Sequence, residues 1–374
     1  MNRVSAVKII GSIGLVISML LNGCTTNSIT DDNVSGNDLT ATEVIRLMGN
    51  GINLGNTLEA YNHKSYVELG VDPTSFETLW GQPVTTRDMI DDMKAMGFDT
   101  LRIPVAWTNG INYESGDYTI DERLMNRVDE VVNYALDADM YVILNEHWDG
   151  SWWGMFGSAD EAVREKGMAL YKSMWTQISE HFSDYSYKLI FESANEELCH
   201  RLNDSDVTGT EGVLSEDECY ETTNRINSEF VKLVRSTGGK NADRFLLIAG
   251  YNTDFRKTCD DRYQMPEDTA KDKLLLSVHY YTPWDYCSDG NAKRWGTPGD
   301  YEEQNSLFQM LTKFTDRGYG VVIANMPLWV RRINDRDKFY ANLLDNCDLY
   351  NYCPVLWDCS DFYKRPSEKL PMKT

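Results

Sequence analysis

The chain has 374 residues, enough for one large α/β domain or for two ordinary domains. Its net charge of −22 argues against nucleic acid and against an anionic membrane surface as a partner. Hydrophobic residues make up 42% of the chain, and 10 Trp, 12 Phe and 21 Tyr are ample for a core. Some of the Trp rings could therefore stack on sugar rings, although most Trp residues in proteins are simply core.

The first 24 residues have the pattern of an export signal and are set apart from the fold. Positive residues precede an apolar run over 9–21, which is too short for an ordinary membrane span. The segment LNGC at 21–24 resembles a bacterial lipobox and predicts lipidation at Cys24, with a plain signal peptide as the alternative. Residues 25–40 are rich in small polar residues and predict a flexible tether. An exported protein, lipid-anchored to a bacterial outer membrane, is expected.

Beside Cys24 the chain has seven further cysteines, and an odd number leaves at least one thiol free. Export permits disulfides, and Cys199 and Cys219, which flank a polar insertion, are the first pair to test. No cysteine or histidine cluster has the spacing of zinc ligands. The sequence predicts neither a metal nor a cofactor.

Helix and strand patterns alternate over residues 41–374. The predicted helices span 41–48, 85–96, 121–138, 159–182, 218–236, 301–317 and 335–346. The predicted strands lie near residues 52, 102, 143, 190, 246, 277, 322 and 355. Eight strands alternating with helices favour a (β/α)8 barrel over an open doubly wound sheet, here without a regular final helix. No glycine-rich dinucleotide fingerprint follows the first strand.

Polar and aromatic residues cluster where the predicted strands end. The most prominent cluster is ESANEE at 192–197, directly after an apolar run. In a barrel the carboxyl ends of the strands meet on one face, where active sites lie. Each residue alone has an ordinary explanation, such as a buried ion pair for Arg102 or a satisfied core histidine for His147. Six strand ends with such residues together indicate a site, formed by Asn53, Asn56, Arg102, His147, Asn195, Glu196, His279, Tyr281 and Trp357.

Over about 41–357 the chain resembles glycoside hydrolase family 5, the cellulase family. The segments that carry the resemblance are GINLGNTLEA at 51, LRIPVAW at 101, YVILNEHWDG at 141, LIFESANEE at 189, SVHYYTPWDY at 277 and VLWD at 355. NLGNTLEA and HYYTPWDY are similar to the endo-β-1,4-glucanase and xyloglucanase branch of gut and rumen bacteria. The resemblance implies a monomeric barrel that binds a β-1,4-linked glucan polysaccharide or oligosaccharide.

The family uses two carboxylates in a retaining mechanism, in which one protonates the glycosidic oxygen and the other attacks the anomeric carbon. The resemblance implies that Glu196 is the acid/base and that Asn195 bonds the sugar 2-hydroxyl. It also implies that Arg102 supports the nucleophile and that Tyr281 touches it. The other implied binding residues are Asn53, His147, His279 and the stacking platforms Trp357 and Trp148, with Trp152 and Trp153 as further platforms or core.

The nucleophile position departs from the family. Where the family has Gly-Glu-Phe/Tyr-Gly after the seventh strand, this chain has Ala-Asn-Met-Pro at 324–327, so Asn325 replaces the glutamate. An amide cannot form a stable glycosyl-enzyme or supply the negative charge of the nucleophile, so strongly impaired hydrolysis is expected. Asp358, which follows Trp357, and Glu146, which precedes His147, are the two acids that could substitute for the nucleophile. Glu146 should point away from His147, and Asp358 is expected to be misaligned.

Two further departures lie at 328–334, a loop unlike the family, and at the end of the chain. Pro366 and Pro371 interrupt the region where the family has its eighth helix, so apolar surface beside the first and last strands is expected to be exposed. A truncated or drifting gene would explain these departures, and so would a specialised binding protein. Two functions stay open: a β-glucan hydrolase with little activity, or a non-catalytic β-glucan-binding surface lipoprotein.

Overall fold

The structure is a computed structural model that describes residues 38–287, 294–326 and 335–366. Eight parallel strands pair in chain order and the last pairs with the first, so the predicted (β/α)8 barrel is confirmed. The strands are β1 Gly51–Asn53, β2 Thr100–Ile103, β3 Tyr141–Asn145, β4 Leu189–Glu192, β5 Leu246–Asp254, β6 Leu274–His279, β7 Gly320–Met326 and β8 Tyr352–Leu356. The helices are α1 Ala41–Met48, α2 His63–Leu69, α3 Arg87–Ala95, α4 Glu122–Asp137, α5 Glu161–His181, α6 Glu216–Ser236, α7 Phe255–Thr258, α8 Trp284–Cys287, α9 Pro298–Met310, α10 Thr312–Thr315 and α11 Arg336–Tyr350.

Capping side chains determine where the first helix begins. The Thr40 hydroxyl accepts the backbone N–H of Glu43 (3.3 Å), and the Glu43 carboxylate accepts the backbone N–H of Thr40 (2.9 Å). Leu39 is buried, and Nζ of Lys273 donates to its carbonyl oxygen (2.6 Å). The predicted tether therefore ends too late, because Leu39 and Thr40 already belong to the folded unit.

The barrel interior has an apolar layer at the amino ends of the strands and a polar layer at the carboxyl ends. Side chains alternate along each strand, so every second residue points inward. Helix α1 covers that end of the barrel and packs against the apolar layer. The helix contributes Val44 and Ile45, and the strands contribute Tyr141, Ile143, Ile190, Leu247, Leu275, Val322 and Val355. Two residues further along the same strands, the inward positions carry Asn145, Glu192 and Ser277. The polar chemistry is thereby confined to the carboxyl end.

Residues 357–366, the described part of the segment after β8, form no regular helix, yet they cover the surface beside β1 and β8. Phe362 packs edge-on against Phe98 with ring centroids 5.9 Å apart. The buried Tyr363 donates its hydroxyl to the carboxylate of Asp92 (2.8 Å) on α3. The structure thus differs from the expected exposure of apolar surface, because an irregular segment packs where the family's last helix was expected.

Arg365 anchors this segment, and its removal gives a testable consequence. Its buried guanidinium donates to the carbonyl oxygens of Gly55 (2.9 Å) and Asp358 (2.6 Å). Arg365→Met leaves both carbonyls without that donor, so we expect the free energy of unfolding to fall by about 1–3 kcal/mol in urea titrations. The exposed neighbour Lys364→Met is the control, with an expected change of about 0.5 kcal/mol or less. Equal effects of the two substitutions would show that the segment is not anchored here.

All seven cysteines between Cys199 and Cys359 are described, and none of the seven forms a disulfide. Cys199 and Cys219, the first pair to test, are therefore not bonded to each other in this structure. The Cys199 thiol instead lies against Oδ1 of Asn252 (3.2 Å). Within the described ranges, no helix is long and apolar enough to cross a membrane. Cys24, the export signal and most of the tether lie outside the described residues, as does the loop at 328–334.

Candidate active site

Glu196 and His279 are in direct contact at the carboxyl end of the barrel. Nδ1 of His279, the last residue of β6, lies 2.7 Å from Oε1 of Glu196, which follows β4. The Glu196 side chain is 30% exposed, whereas the imidazole is buried. His279 Nε2 has no hydrogen-bond partner among the described residues. A neutral imidazole with its hydrogen on Nδ1 fits this arrangement, because a second hydrogen on the buried Nε2 would have no acceptor among the described residues.

The electrostatics around Glu196 favour the ionised carboxylate. Burial acts to raise its pKa, but the hydrogen bond from His279, with smaller contributions from the charges of Arg201 and Arg102, holds the pKa below its ordinary value. A general acid needs the opposite, a pKa raised toward the working pH. A carboxylate at position 325 would raise it, since like charges disfavour ionisation. With the neutral Asn325 there instead, Glu196 is placed to accept a proton rather than to donate one.

A β-bulge in β7 determines where Asn325 lies. Val278 pairs with Ile323 and the next residue, His279, pairs with Asn325, so β7 has one extra residue at this point. The same extra residue appears against β8, where Pro354 pairs with Ile323 and Leu356 with Met326. Bulges next to sites re-aim a side chain that strict alternation would turn away. The bulge thereby pairs Asn325 with His279, whose imidazole contacts Glu196.

Asn325 brings no charge to this position. Its side chain is buried, and Oδ1 has no hydrogen-bond partner among the described residues. It lies beside the Tyr281 hydroxyl, whose pKa is raised well above its usual value by burial and by the negative charge of Glu196, with the amide of Asn325 opposing that rise. Tyr281 and Asn325 are therefore two neutral polar groups where a retaining glycosidase needs a carboxylate.

Arg102 is held inside the polar layer of the barrel rather than directed at an open site. Its Nε donates to Glu192 (2.7 Å), Nη1 to Asn53 (2.9 Å) and Nη2 to Asn195 (3.0 Å). Both members of the Arg102–Glu192 ion pair are fully buried. Asn53 also donates to the carbonyl oxygen of Ala324 (3.0 Å), so it ties β1 to the bulged strand. Asn53 was expected to bind substrate, but the structure places it beneath the site.

Three of the described carboxylates near the site, Asp358, Glu146 and Glu192, are fully buried and bonded to other groups. Asp358 is fully buried and accepts the backbone N–H groups of Asp361 (2.9 Å) and Phe362 (2.7 Å), so it caps a turn. Glu146 is fully buried and accepts the indole N–H of Trp153 (3.3 Å). Glu192 is paired with Arg102 and accepts the hydroxyl of Ser277 (2.6 Å).

An aromatic surface borders the site. The indole of Trp357 stacks on the imidazole of His147, with centroids 5.6 Å apart and an interplanar angle of 13°. A Cβ at Gly55 would lie 2.8 Å from the Trp357 ring, so this ring position requires glycine there. Nδ1 of His147 lies 3.1 Å from the side-chain nitrogen of Asn145. That nitrogen donates, so Nδ1 is the acceptor and Nε2 carries the hydrogen.

The other predicted platforms differ from one another. Trp148 is 43% exposed, and the guanidinium of Arg201 lies 5.0 Å from its ring centroid. Trp152 and Trp153 are buried and stack on each other with centroids 4.4 Å apart, so they belong to the core. Only Trp148 of these three rings is therefore available to a ligand.

Three buried acids, Glu146, Asp149 and Glu197, lie close to one another, and Glu197 follows Glu196 in the chain. Burial raises the pKa of each, to about 7 for Glu197, where the charge of Glu196 adds to the effect, and to about 6 for Asp149. Asp149 and Glu197 border a small pocket whose other walls include Trp148 and Arg201. Within the described residues, no group of three or more His, Cys, Asp and Glu side chains is arranged to hold a metal ion.

The raised pKa values of these acids and of Glu59 make the stability of the fold depend on pH. Burial raises the pKa of Glu59 to about 7, against the opposing hydrogen bonds from the backbone of Thr57 and Asn56. A carboxyl with a raised pKa stabilises the fold while protonated, and that contribution is lost as the pH rises through the folded-state value. We therefore expect the free energy of unfolding to fall between about pH 5 and about pH 8, by up to about 1.4 kcal/mol per pH unit for each such group.

Glu59→Gln tests this dependence in urea titrations at several pH values. Because glutamine does not titrate, the variant should show a shallower decline in the free energy of unfolding than the wild type. Glu180→Gln, an exposed position on α5, is the control and should keep the wild-type slope. A Glu59→Gln slope equal to that of the wild type would contradict the buried, protonated state of Glu59.

The structure brings most of the predicted site residues together at one end of the barrel. The sequence did not identify two residues of the site. Glu192 is the ion-pair partner of Arg102, and Gly55 leaves space for the Trp357 ring. The strand pattern marked Glu192 as polar, but one sequence does not show which cation faces it. Gly55 follows the first predicted strand, and nothing in the sequence connects it with position 357.

A family model described as Cellulase (glycosyl hydrolase family 5) matches residues 64–361. The chain is 33% identical to endoglucanase A of Paenibacillus barcinonensis over 86% of this chain and 82% of that protein. It is 31% identical to a xyloglucan-specific endo-β-1,4-glucanase of Bacteroides ovatus, over 88% of this chain and 67% of that protein.

Solved structures are similar as well. A broad-specificity GH5-4 endoglucanase from an uncultured bovine rumen ciliate matches with a TM-score of 0.74 at 33% identity, over 87% of this chain and 91% of that chain. A broad-specificity GH5-4 endoglucanase from Ruminococcus champanellensis with bound cellotriose matches with a TM-score of 0.73 at 33% identity, over 86% of this chain and 90% of that chain.

Proposed function

Because the chain belongs to glycosyl hydrolase family 5, as an endo-β-1,4-glucanase-type member, we propose that it binds β-1,4-linked glucan but hydrolyses it at a strongly reduced rate. The glucan lies across the carboxyl end of the barrel, against Trp357 and near Glu196. Similarity to an endoglucanase, to a xyloglucan-specific enzyme and to a structure with bound cellotriose supports this ligand class.

The observation that carries the proposal is the neutral Asn325 beside the His279–Glu196 pair. Retaining hydrolysis needs a carboxylate that attacks the anomeric carbon and a second one that first donates a proton. Position 325 offers an amide, and the low pKa of Glu196 removes the proton donor as well. Both halves of the reaction are weakened by the same substitution, since a negative charge at position 325 would also raise the pKa of Glu196.

Binding and turnover are measured on the same preparation. Affinity electrophoresis in gels that contain soluble β-glucan or xyloglucan reports binding, and reducing-sugar release reports hydrolysis. We expect retarded migration with turnover several orders of magnitude below that of an active endoglucanase. Turnover at the rate of an active endoglucanase would overturn the proposed impairment, and unretarded migration in both gels would overturn the proposed binding.

Trp357→Ala identifies the surface that binds. Loss of the stacking ring should weaken affinity for cellotriose about tenfold in calorimetry, which corresponds to about 1.4 kcal/mol. Leu349→Ala removes an apolar side chain that is 72% exposed near the end of α11, just before β8 begins at the opposite end of the barrel. This control should bind cellotriose as the wild type does. Equal affinity of the two variants would exclude Trp357 as a platform.

The proposed location is the surface of a bacterial outer membrane, reached by export and held by lipid on Cys24. The lipobox-like LNGC at 21–24 and the polar segment after it support this proposal. Metabolic labelling with a radioactive fatty acid should mark the wild type in the membrane fraction and leave Cys24→Ala unlabelled. Equal labelling of the two proteins, or none of the wild type, would overturn lipidation at this cysteine.

A further inference from the structure

We propose that the chain forms β-glucan linkages, by transferring a glucosyl or cellooligosaccharyl unit from a donor with an α-configured leaving group at C1 to a sugar hydroxyl, with Glu196 as the general base. This inference rests on the proposed glucan-binding site and adds a reaction to it. It follows from what the two sides of the site can and cannot do.

Asn325 occupies one side of the site. In a retaining enzyme the group at this position attacks C1 from the α face, opposite the β-linked leaving group. An amide does not attack, and asparagine is one methylene shorter than glutamate. A donor whose leaving group already lies on the α face needs no nucleophile there. It needs a face without negative charge, and Asn325 brings none.

On the opposite side of the site, the transfer reaction requires a base for the acceptor hydroxyl. Glu196 lies 2.7 Å from Nδ1 of His279, and Nε2 of that imidazole is buried without a partner among the described residues. The neutral imidazole with its hydrogen on Nδ1 leaves Glu196 as a carboxylate. At 30% exposure, the carboxylate can reach a hydroxyl of an incoming sugar.

Two neutral hydrogen-bond donors are available to the leaving group. Tyr281 lies beside Asn325, and burial keeps its hydroxyl protonated. The hydroxyl hydrogen of Tyr281 and the amide hydrogens of Asn325 are therefore available to a small departing anion. Arg102 does not stabilise the leaving group, because its three guanidinium nitrogens already donate hydrogen bonds to Glu192, Asn53 and Asn195.

The bonds balance in a single displacement. The acceptor oxygen attacks C1 from the β face, and a C1–O bond forms while the bond from C1 to the α leaving group breaks. The electron pair of that bond departs with the leaving group as an anion, and the acceptor proton passes to Glu196. Glu196 then loses the proton to water. The new β-linkage accumulates, because position 325 cannot attack it to begin hydrolysis.

The test uses the purified protein with α-cellobiosyl fluoride as the donor and cellotriose as the acceptor. Calorimetry first measures cellotriose binding. Fluoride release is then followed with an ion-selective electrode, and cellopentaose is identified by chromatography and mass spectrometry. We expect fluoride release about 100-fold faster with the wild type than with Glu196→Gln, because a general base contributes at least that factor. Glu180→Gln should release fluoride at the wild-type rate.

Asn325→Glu is the second variant. A glutamate there would compete as the nucleophile and hydrolyse β-linked products, so cellopentaose should no longer accumulate. This readout does not depend on the folding of Glu196→Gln.

The outcomes separate the two proposals. Cellotriose binding together with Glu196-dependent formation of cellopentaose supports the transfer reaction. Binding without cellopentaose, or cellopentaose formed equally by Glu196→Gln, overturns the transfer reaction and leaves the proposed binding intact. Absence of cellotriose binding overturns the proposed function, and the inference with it.

Discussion

Asn325→Glu is expected to raise the rate of β-1,4-glucan hydrolysis by about three orders of magnitude or more. The substitution restores an attacking carboxylate at the bulge in β7, where residue 325 already pairs with His279. Its second effect is on Glu196, whose pKa should rise because a like charge now lies nearby. The variant thereby gains both the nucleophile and a usable proton donor.

Asn325→Gln is the matched control, because glutamine has the shape of glutamate without its charge. Initial rates on barley β-glucan and xyloglucan are compared for the wild type and both variants. The glutamine variant should stay near the wild-type rate. Equal acceleration by glutamine and glutamate would show that side-chain length, not charge, limits the reaction.

The pH profile gives an independent readout of the same variant. A restored pair of carboxylates should give a bell-shaped dependence of kcat/KM, with the basic limb set by the raised pKa of Glu196. The wild type should lack that basic limb in whatever residual rate it has, because the hydrogen bond from His279 holds the pKa of Glu196 low. A basic limb shared by both proteins would contradict the electrostatic coupling between positions 325 and 196.

If Asn325→Glu remains slow, Ala324→Gly combined with it addresses the backbone. Ala324 is buried, and its carbonyl oxygen accepts from Asn53 (3.0 Å), so the bulge is packed tightly. The family glycine at this position would let the peptide adjust around the new carboxylate. Activity only in the double variant would place the remaining defect in the bulge rather than in the missing charge.

The barrel and the location of the site could be predicted from the sequence because both follow from local patterns. Alternation of apolar strands with amphipathic helices predicts the barrel, and polar residues at strand ends predict which face carries the site. Asn325 was identified by comparison with a family motif. The sequence predicts a strand near residue 322 but not its extent, and β7 continues to Met326, because a bulge adds a residue without any mark in the hydrophobic pattern.

Other differences depend on contacts between distant parts of the chain. Leu39 is polar-flanked in sequence and is buried only because α1 covers the end of the barrel. The stacked pair Trp152–Trp153 follows the same strand as the exposed Trp148, so position alone does not distinguish core from platform. Partners such as Glu192 for Arg102 lie 90 residues apart in the chain, and only the closed barrel brings them together.

The second large effect is expected for Arg102→Met, which should lower the free energy of unfolding by about 3–5 kcal/mol. Glu192 would lose the guanidinium 2.7 Å away and keep only the hydroxyl of Ser277 (2.6 Å), while fully buried. An uncompensated buried carboxylate is costly because the low-dielectric interior does not solvate the charge. Asn53 and Asn195 would lose a donor as well, so cellotriose affinity should also fall.

The free energies of unfolding of Arg102→Met, Glu192→Gln and the double variant, measured in urea, form a double-mutant cycle. The cycle isolates the interaction energy between Arg102 and Glu192. The double variant should be more stable than Arg102→Met alone, because removing the carboxylate removes the unpaired charge. Arg123→Met is the matched surface control: its ion pair with Asp121 joins an arginine that is 49% exposed, so a loss of about 1 kcal/mol or less is expected. If Arg102→Met cost no more than this control, the Arg102–Glu192 pair would not be what stabilises the polar layer beneath the site. Glu196 and Asn325 would then depend on the strand pairing and the bulge alone for their positions.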